Sequence, residues 1–597
     1  MKDFFSLILL LAISIISNAQ EGFWSIDQLA LLQPKLAVVG LPFSAQNIRP
    51  AEHRGLAEAV IHLPEGNAVF VNDQNLALGV LPTYLIPDSI WSLMKNGVWL
   101  AKPGEAIFLN GLPEVFLQSD SIPKPDRPSF ESHFSLNEYS RSVDATGQKW
   151  YKQVYQLLSN AEIIGVVRFP PTGEIETLVA VLLRFEDNPL QNKDLLSYLT
   201  FIPREQAEPS DEPHLVLGYP QSSSIHRPSF ELQYALSLSK CHQDLDRALG
   251  AYLTRPPFIT EDGVFRRYEA ISPLEQSLPK RALWDAEFRH QLSSNPQLKT
   301  RYGPVLDSCR KAFLELQRYA PAQVYTKGII YSPCSFFEAV RLFTMWRGRM
   351  GTSTHRLPTY QESQYFPEVF KRLPATENEL LLPELLQRYF TQLPAEHLSP
   401  YAIRQAIYAQ KDYAKLSETL LIQSKFGQPE AIAGLLNQDF LENIDHIATD
   451  PAVQLVDSML HFYAEKVVPK MEKARQIAFQ KANELARAMS EILPNYPAYP
   501  EADHSLRLSY GTHLRASSVD SAYWLSNAHL VESHAGSPVV NKQGKLIGIV
   551  KGPIPGSSSN AYYYDPEKSQ VFIWSINSIR SLIATHPLGS IVLNEWQ

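Results

Sequence analysis

The stretch HLVESHAGSPVV at residues 529–540, followed by GKLIGIV at residues 544–550, decides how the rest of this 597-residue chain is interpreted. A Gly-Ser-Pro sequence that begins at Gly536 precedes two valines, a polar turn around Gly544 and a second apolar run. Short apolar runs separated by turn residues predict a tight loop that leads into a β-hairpin.

This loop resembles the nucleophile loop of chymotrypsin-like serine peptidases. In those enzymes the serine stands immediately before the first glycine, and backbone amides beside it form the oxyanion hole. Here the residue before Gly536 is Ala535, whose side chain has no oxygen that could attack a substrate. The resemblance therefore implies a peptidase fold and, at the same position, the loss of its nucleophile.

The bulk composition indicates an ordinary globular protein of several domains. The chain is too long for one core, so two or three domains are expected. With 45% hydrophobic and 11% aromatic residues, it is not a disordered composition. The formal net charge of -8 is spread without long runs of one sign, which argues against a nucleic-acid partner.

The N-terminus has the pattern of a secretory signal peptide. Lys2 precedes an apolar run at residues 4–16 and the small-residue site Ser17-Asn18-Ala19. A membrane anchor is the alternative, but this run is shorter than the roughly 20 residues that a spanning helix needs. We expect residues 1–19 to be removed, the mature chain to be periplasmic or extracellular, and no membrane association after cleavage.

The chain changes from strand-like to helix-like texture and back again. A β-hairpin is predicted around residues 67–78, and further short strands follow up to residue 219. From residue 228 to 494 the apolar spacing is helical, most clearly at residues 470–493, and Pro469 is expected to kink or end the preceding helix. The predicted domains are a first β-barrel at 20–227, an α-helical domain at 228–494 and a second β-barrel at 495–597.

Cysteines and histidines give no pattern of a metal or cofactor site. Cys241, Cys309 and Cys334 allow at most one disulfide, no CxxC pair occurs, and buried thiols are favoured. The histidines nearest the loop lie at spacings of 9, 16 and 5, which match no helical or knuckle ligand set. We therefore expect no metal and no cofactor. These histidines are His504, His513, His529 and His534.

Several segments, in order along the chain, are together similar to bacterial serine dipeptidyl aminopeptidases of the dipeptidyl-peptidase 7 and 11 type. The similarity implies a β plus α fold, a chymotrypsin-like double β-barrel with a large α-helical cap domain inserted between the barrels. It also implies export and the removal of dipeptides from peptide N-termini. The segments are EGFW at 21–24, LAEAVI at 56–61, NGVWLA at 96–101, DNPL at 187–190, LGYP at 217–220, YPEADHSLRLSYG at 499–511 and the loop at 529–550.

The same resemblance assigns the three triad positions, and each has changed. The general base falls at Pro82, and no histidine occurs between His62 and His133 that could replace it. The acid falls at Glu174, which has no imidazole to orient, and the nucleophile falls at Ala535. Because a triad needs an imidazole beside the hydroxyl, the resemblance implies a degenerate catalytic site.

The substrate-binding positions have changed as well. The pair that grips the substrate's amino terminus falls at Gly165 and Val166, and a second amino-terminus ligand falls at Gly552. The adjacent specificity position is Pro553. None of the three amino-terminus positions carries the polar side chain that the family uses.

Three functions therefore remain open at the level of the sequence. The first is an inactive homologue that binds a peptide or protein. The second is an active serine dipeptidyl-peptidase with a displaced triad, for instance through Ser537, and the third is a metal-dependent hydrolase built on the histidines near the loop. The sequence also leaves open whether the chain forms a homodimer.

Overall fold

The computed structural model describes most of the chain outside the N-terminal 20 residues. The described ranges are 21–48, 55–102, 107–108, 114–117, 154–157, 161–168, 178–185, 199–200, 212–250, 271–340, 375–427, 449–514 and 522–596, without positions 64, 65, 74, 222, 331, 333, 335, 338, 339, 555 and 556. Glu174, the predicted acid, lies outside them.

The strands form two antiparallel sheets. In chain order they are β1 (Trp24–Ser25), β2 (Val60–Leu63), β3 (Gly66–Phe70), β4 (Leu76–Pro82), β5 (Val98–Leu100), β6 (Ile107–Phe108), β7 (Glu114–Leu117), β8 (Val154–Leu157), β9 (Ala161–Val167), β10 (Leu178–Phe185), β11 (Pro213–Gly218), β12 (Arg507–Leu514), β13 (Tyr523–Ser526), β14 (Pro538–Val540), β15 (Leu546–Pro553) and β16 (Val571–Ser575).

The first sheet has the order β5-β9-β10-β4-β3-β2-β7-β8, with β6 also paired to β9. The predicted hairpin is confirmed as β3 and β4, with Ala68 opposite Gly79. The second sheet has the order β1-β12-β11-β14-β15-β16-β13, and β12 also pairs with β13. The pairing between β12 and β13 closes the six strands β11–β16 into a barrel.

Two strands from the predicted first domain lie in the second sheet. Trp24–Ser25 and Pro213–Gly218 precede residue 228 but pair with β12, so they belong to the second sheet and not to the first. The alternation of apolar residues predicts a strand without specifying its partner, because pairing is decided by distant segments. The chain divides into two compact units, Met1–Arg227 with Met489–Gln597 and Pro228–Ala488.

One hydrophobic core in the first of these units joins the two sheets. It includes Val69 and Val80 from the first sheet together with Ile549 and Trp574 from the second, all 0% exposed. A separate core cluster lies within the first sheet, around residues such as Val181. The loop at 529–536 belongs to the joint core, since Ala535 is part of it at 3% exposure.

The second unit is helical, and the first unit contains helices as well. In chain order through the molecule they are α1 (Leu29–Val38), α2 (Ala45–Ile48), α3 (Asp88–Leu93), α4 (Ser229–Gly250), α5 (Ile271–Ser294), α6 (Pro296–Tyr302), α7 (Val305–Gln317), α8 (Lys327–Ile330), α9 (Ala375–Gln392), α10 (Pro400–Tyr408), α11 (Tyr413–Gln423), α12 (Pro451–Phe462), α13 (Val468–Ile492), α14 (Ile576–Ala584) and α15 (Gly589–Asn594).

The helix around Pro469 neither ends nor breaks. A π-helical segment, Tyr463–Val467, connects α12 directly to α13, and Pro469 is the second residue of α13. A proline lacks the amide donor of a regular turn, and a widened turn before it accommodates that loss. The predicted apolar face of α13 is confirmed, with Ala478 and Leu485 at 0% exposure.

The observed architecture agrees with the predicted fold class of two antiparallel β-domains and a helical region, and the helical region is inserted in the chain between β11 and β12 of the second sheet. None of the helices among the described residues has the length and apolar character of a membrane span. Cys241, Cys309 and Cys334 all lie in described segments, and no disulfide joins them.

Candidate functional site

The loop that carries Ala535 is a short 3-10 turn followed by a glycine in the left-handed region. The turn covers Glu532–His534, Ala535 is extended with φ -49° and ψ 131°, and Gly536 has φ +81°. A Cβ at Gly536 would lie 1.8 Å from the Asn67 carbonyl oxygen and 2.9 Å from the Val80 nitrogen. Glycine at 536 is therefore required both by its φ and by the close approach of β3 and β4.

Hydrogen bonds within the fold occupy the backbone groups on either side of residue 535. The Ala535 amide donates to the Glu532 carbonyl at 3.0 Å, and the Gly536 amide donates to the Val550 carbonyl at 2.8 Å. The Ala535 carbonyl accepts from the Asn67 amide at 2.7 Å. The amide at the nucleophile position is thus directed into its own turn, whereas an oxyanion hole needs donors aimed at the substrate.

Asn67 connects the loop to both sheets and was missed by sequence reasoning. Its Nδ2 donates to the carbonyls of Ser533 at 2.9 Å and Ala535 at 3.2 Å, and its Oδ1 accepts from the Tyr219 amide at 2.9 Å. Asn67 is 0% exposed. The available signal was a lone amide side chain in the otherwise apolar strand GNAVF, since a buried polar group needs partners.

The structure brings two of the three predicted triad positions into one neighbourhood. Gly536 contacts β4 at Val80, two residues before Pro82, which is buried at the end of that strand. The same glycine donates to Val550, two residues before Gly552. Pro82 has no proton-accepting nitrogen, so the base position can accept no proton from a nucleophile beside it.

The other predicted binding positions offer no polar side chain. Gly165 lies on β9, where a Cβ would meet Leu182 Cδ1 at 2.8 Å and Leu100 Cδ2 at 2.9 Å. Val166 is 0% exposed within the core of the first sheet. Gly552 has φ +153° with nothing within 4 Å of an added Cβ, and Pro553 pairs with Val571.

Ser537, the candidate for a displaced nucleophile, faces the interior. It is 0% exposed, and its Oγ would lie 2.0 Å from a Cβ placed on Gly218. His534 is beside it, also buried, with its Cδ2 3.4 Å from the same Cβ position. Neither Ser537 Oγ nor His534 Nε2 has a hydrogen-bond partner among the described residues, so the two are neighbours without forming a dyad.

The histidines of the loop are held neutral by burial. His529 Nδ1 accepts from the Gly22 amide at 3.2 Å, and its Nε2 pairs with the Asn560 carbonyl at 2.8 Å. Burial lowers the pKa of His529 to about 4. Burial, with His529 as a second cause, lowers the pKa of His534 to about 3. Both rings are neutral at neutral pH, and their low pKa values make them weak proton acceptors.

The segment after the predicted signal is packed against these two rings. Phe23 lies with its ring centroid 4.2 Å from that of His529 and 5.5 Å from that of His534. The Gly22 carbonyl accepts from Ser509 Oγ at 2.8 Å, and Trp24 pairs with Leu508 on β12. The EGFW segment therefore completes the second sheet and the core beneath the loop.

A second pair of histidines lies next to Asn67. His62 is opposite Asn67 on β2, and its ring centroid is 5.7 Å from that of His504 and 5.6 Å from that of Tyr219. Burial, with the charge of His504 as a second cause, lowers the pKa of His62 to about 4. Across the described part of the chain, no group of three or more His, Cys, Asp or Glu is placed to hold a metal ion.

Comparison with known proteins identifies relatives along almost the whole chain. Residues 273–525 match the family model described as Peptidase S46. An Asp/Glu-specific dipeptidyl-peptidase of Flavobacterium psychrophilum is 18% identical, and the alignment covers 94% of this chain and 94% of that protein. Both matches support a relationship to dipeptidyl-peptidases of the type that the sequence motifs indicate.

Solved structures give the same relationship at the level of the fold. The crystal structure of Porphyromonas endodontalis DPP11 matches with a TM-score of 0.67 at 14% identity, over 97% of this chain and 99% of that one. The complex of that protein with substrate matches with a TM-score of 0.63 at 13% identity, over the same shares of the two chains. These similarities confirm the predicted fold class, two antiparallel β-domains and a helical region.

Proposed function

We propose that this chain is an exported, catalytically inactive relative of the S46 dipeptidyl-peptidases that acts by binding a peptide or a protein. The observation that carries the proposal is Ala535 at the nucleophile position, with its amide donated to Glu532 and its carbonyl held by Asn67. Without a serine and an imidazole, a site of this type retains at most about a thousandfold acceleration over water.

The position of the base supports the same proposal. Pro82 ends β4 near the loop, and the histidines that contact the loop are buried neutral rings committed to the fold. A general base must reach the hydroxyl that it deprotonates, and neither His529 nor His534 reaches one through a hydrogen bond. Export rests on the N-terminal pattern of residues 1–19 alone.

An active dipeptidyl-peptidase is the second candidate, because the relatives named above carry that activity in their names. It would require Ser537 as the nucleophile, with His534 beside it. Both are enclosed, at 0% and 1% exposure, so a substrate carbonyl could reach Ser537 only after the loop opened. A metal-dependent hydrolase has no support among the residues that the structure covers.

The test is labelling of the mature chain with a fluorophosphonate probe, together with release of dipeptides from fluorogenic dipeptidyl substrates. We expect neither labelling nor turnover above the buffer rate. The matched variant is Ala535→Ser, which restores a hydroxyl without a base and is expected to remain unlabelled. Stoichiometric labelling that disappears in Ser537→Ala would establish the active peptidase and overturn the proposal.

Binding is tested separately, by screening the mature chain against a peptide library with free and blocked amino termini. We expect saturable binding of at least one peptide class to a protein that does not react with the probe. A chain that neither reacts nor binds any library member would contradict a binding function.

A further inference from the structure

The helical unit contains a cavity of about 310 Å³ between α4, α5 and α7. This volume is at the lower end of the range of small-molecule sites, which restricts an occupant to a small molecule. The residues that matter for its chemistry are Ser229 and Phe230 from α4, Asp285 and Arg289 from α5, and Arg310 and Phe313 from α7.

The floor of the cavity carries a carboxyl group with unused hydrogen-bonding capacity. Asp285 is 6% exposed, and its Oδ2 accepts from Ser229 Oγ. Its Oδ1 has no hydrogen-bond partner among the described residues. A buried carboxylate oxygen without a donor is costly, so a ligand that supplies an ammonium or another strong donor would be stabilised here.

The rim carries two exposed guanidinium groups. Arg289 lies one helical turn after Asp285 on α5, and Arg310 faces the same cavity from α7. Within the described ranges, neither arginine forms an ion pair or a hydrogen bond with a side chain. Guanidinium groups bind carboxylates through paired N–H donors, so the rim favours an anionic group on the ligand.

Apolar side chains line part of the same cavity, beside the amide side chains of Gln233 and Gln317. Phe313 is 1% exposed, and Phe230 and Leu314 line the same space. A ligand that matches all three features has a positive group at the floor, a negative group at the rim and an apolar side chain between them. That combination describes a zwitterion, and it excludes a simple inorganic anion or a purely apolar molecule.

We propose that this cavity binds a small zwitterion with an apolar side chain, a free amino acid or a dipeptide, with its ammonium group on Asp285 and its carboxylate on Arg289 and Arg310. The site lies wholly within the helical unit and does not depend on the chemistry of the 529–536 loop. The observations that support it are therefore separate from those that support the function proposed above.

The floor of the cavity holds one titratable carboxyl group among cationic side chains. Burial raises the pKa of Asp285 to about 6, against the opposing effects of Ser229, Arg289 and Arg281. The charged groups that face it are Arg281 and Arg289 on α5 and Arg310 on α7, all of them cations. A bound ammonium would favour the ionised carboxylate, so affinity should increase as the pH rises through about 6.

The test is titration calorimetry of the full chain with L-phenylalanine and with the dipeptide Ala-Phe, each at pH 7.5. Binding of either one supports the site, and the stronger of the two identifies whether a free amino acid or a dipeptide is the preferred occupant. N-acetyl-Ala-Phe removes the positive charge and Ala-Phe amide removes the negative one. We expect each modification to weaken binding at least about tenfold, because each removes a charge-assisted hydrogen bond.

Variants locate the site. Asp285→Asn and Arg310→Gln are each expected to weaken Ala-Phe binding about tenfold or more, and Asp285→Asn should no longer distinguish Ala-Phe from its N-acetyl form. Arg247→Gln, an exposed arginine elsewhere on α4, is the matched control and should bind unchanged. The ligand modifications use the unaltered protein, so they decide the question even if Asp285→Asn does not fold.

Two results would overturn the proposal. One is the absence of saturable heat with both L-phenylalanine and Ala-Phe at ligand concentrations up to about 10 mM. That result would mean that both ligands bind with an affinity weaker than millimolar. The other is binding that is indifferent to the capping of either end of the dipeptide. Fluorophosphonate labelling of the same sample reports on the loop alone, so a failure here is distinguishable from a failure of the proposed function.

Discussion

The loop at 529–536 and the cavity of the helical unit are opposite in how they use their polar groups. In the loop, the backbone groups around Ala535 are bonded to Glu532, Asn67 and Val550. In the cavity, a carboxyl oxygen of Asp285 has no donor within the described structure, and two arginines are exposed at the rim. The loop that carries the motif resemblance thus bonds its own polar groups, whereas the proposed cavity site has polar groups without partners among the described residues.

This difference shows that resemblance to a known family and the ability to catalyse or bind must be assessed separately. A motif identifies a loop because its glycine and proline fix the backbone, and those residues persist here. Chemical capacity depends on side chains at a few positions, and these can change without disturbing the backbone. Ala535 and Pro82 are compatible with the fold and incompatible with a triad.

The largest effect that separates the two regions is expected at Gly536. Gly536→Ala would place a Cβ 1.8 Å from the Asn67 carbonyl oxygen at a φ of +81°, and we expect destabilisation of at least about 4 kcal/mol. Gly40→Ala is the matched control, since Gly40 has φ +82° with nothing within 4 Å, and it should cost about 1 kcal/mol. Urea unfolding of both variants measures the difference, and equal costs would show that the loop is not tightly packed on β3 and β4.

The next effect is the pH dependence of the β-domains. The pKa of His529 is lowered from 6.5 to about 4, so the unfolded chain binds its proton first and stability is lost as the pH falls from 6.5 towards 4. That shift corresponds to roughly 3 kcal/mol for His529 alone. Hydrogen exchange at pH 7.5 and pH 4.5 should show loss of protection in segments 507–553, and unchanged protection there would contradict the closed, neutral state of the loop.

A smaller effect is expected at the residue that joins the loop to both sheets. Asn67→Ala leaves the carbonyl of Ser533 and the amide of Tyr219 without their partners in the buried interior, and it should cost about 2–3 kcal/mol. Asn541→Ala is the control, because Asn541 accepts two backbone hydrogen bonds in a solvent-accessible turn and water can replace it at below about 1 kcal/mol. Similar losses in the free energy of unfolding for the two variants would show that Asn67 contributes no more to stability than a residue of a solvent-accessible turn.

Sequence reasoning predicted the fold class, which is confirmed, but not the contacts that close the loop. Its assignment of altered triad positions stays a prediction. The hairpin at 67–78, the apolar face of α13 and the identity of Ala535 are local features, and local periodicity and motif spacing predict them. The membership of β1 and β11 in the second sheet is decided by pairing with distant strands. Asn67 and the Asp285 cavity were missed for the same reason, since their partners lie far away in the chain.

The smallest effect has the opposite sign and concerns the helical cavity. Because the pKa of Asp285 is raised from 3.8 to about 6, the unfolded chain ionises first and the native state loses stability as the pH rises through this interval. Asp285→Asn removes that cost, keeps an acceptor for Ser229 and should stabilise the protein by roughly 1–2 kcal/mol at pH 8, with little change at pH 4. Urea unfolding at the two pH values measures this change in the free energy of unfolding.

A binding site is expected to retain such a destabilising charge, because its ligand compensates for the cost. If the Asp285 carboxylate were purely structural, its neutralisation would instead destabilise the protein. Destabilisation of Asp285→Asn at pH 8 would therefore indicate that Arg281 and Arg289 stabilise the Asp285 carboxylate within the fold, and that the cavity is as self-contained as the loop.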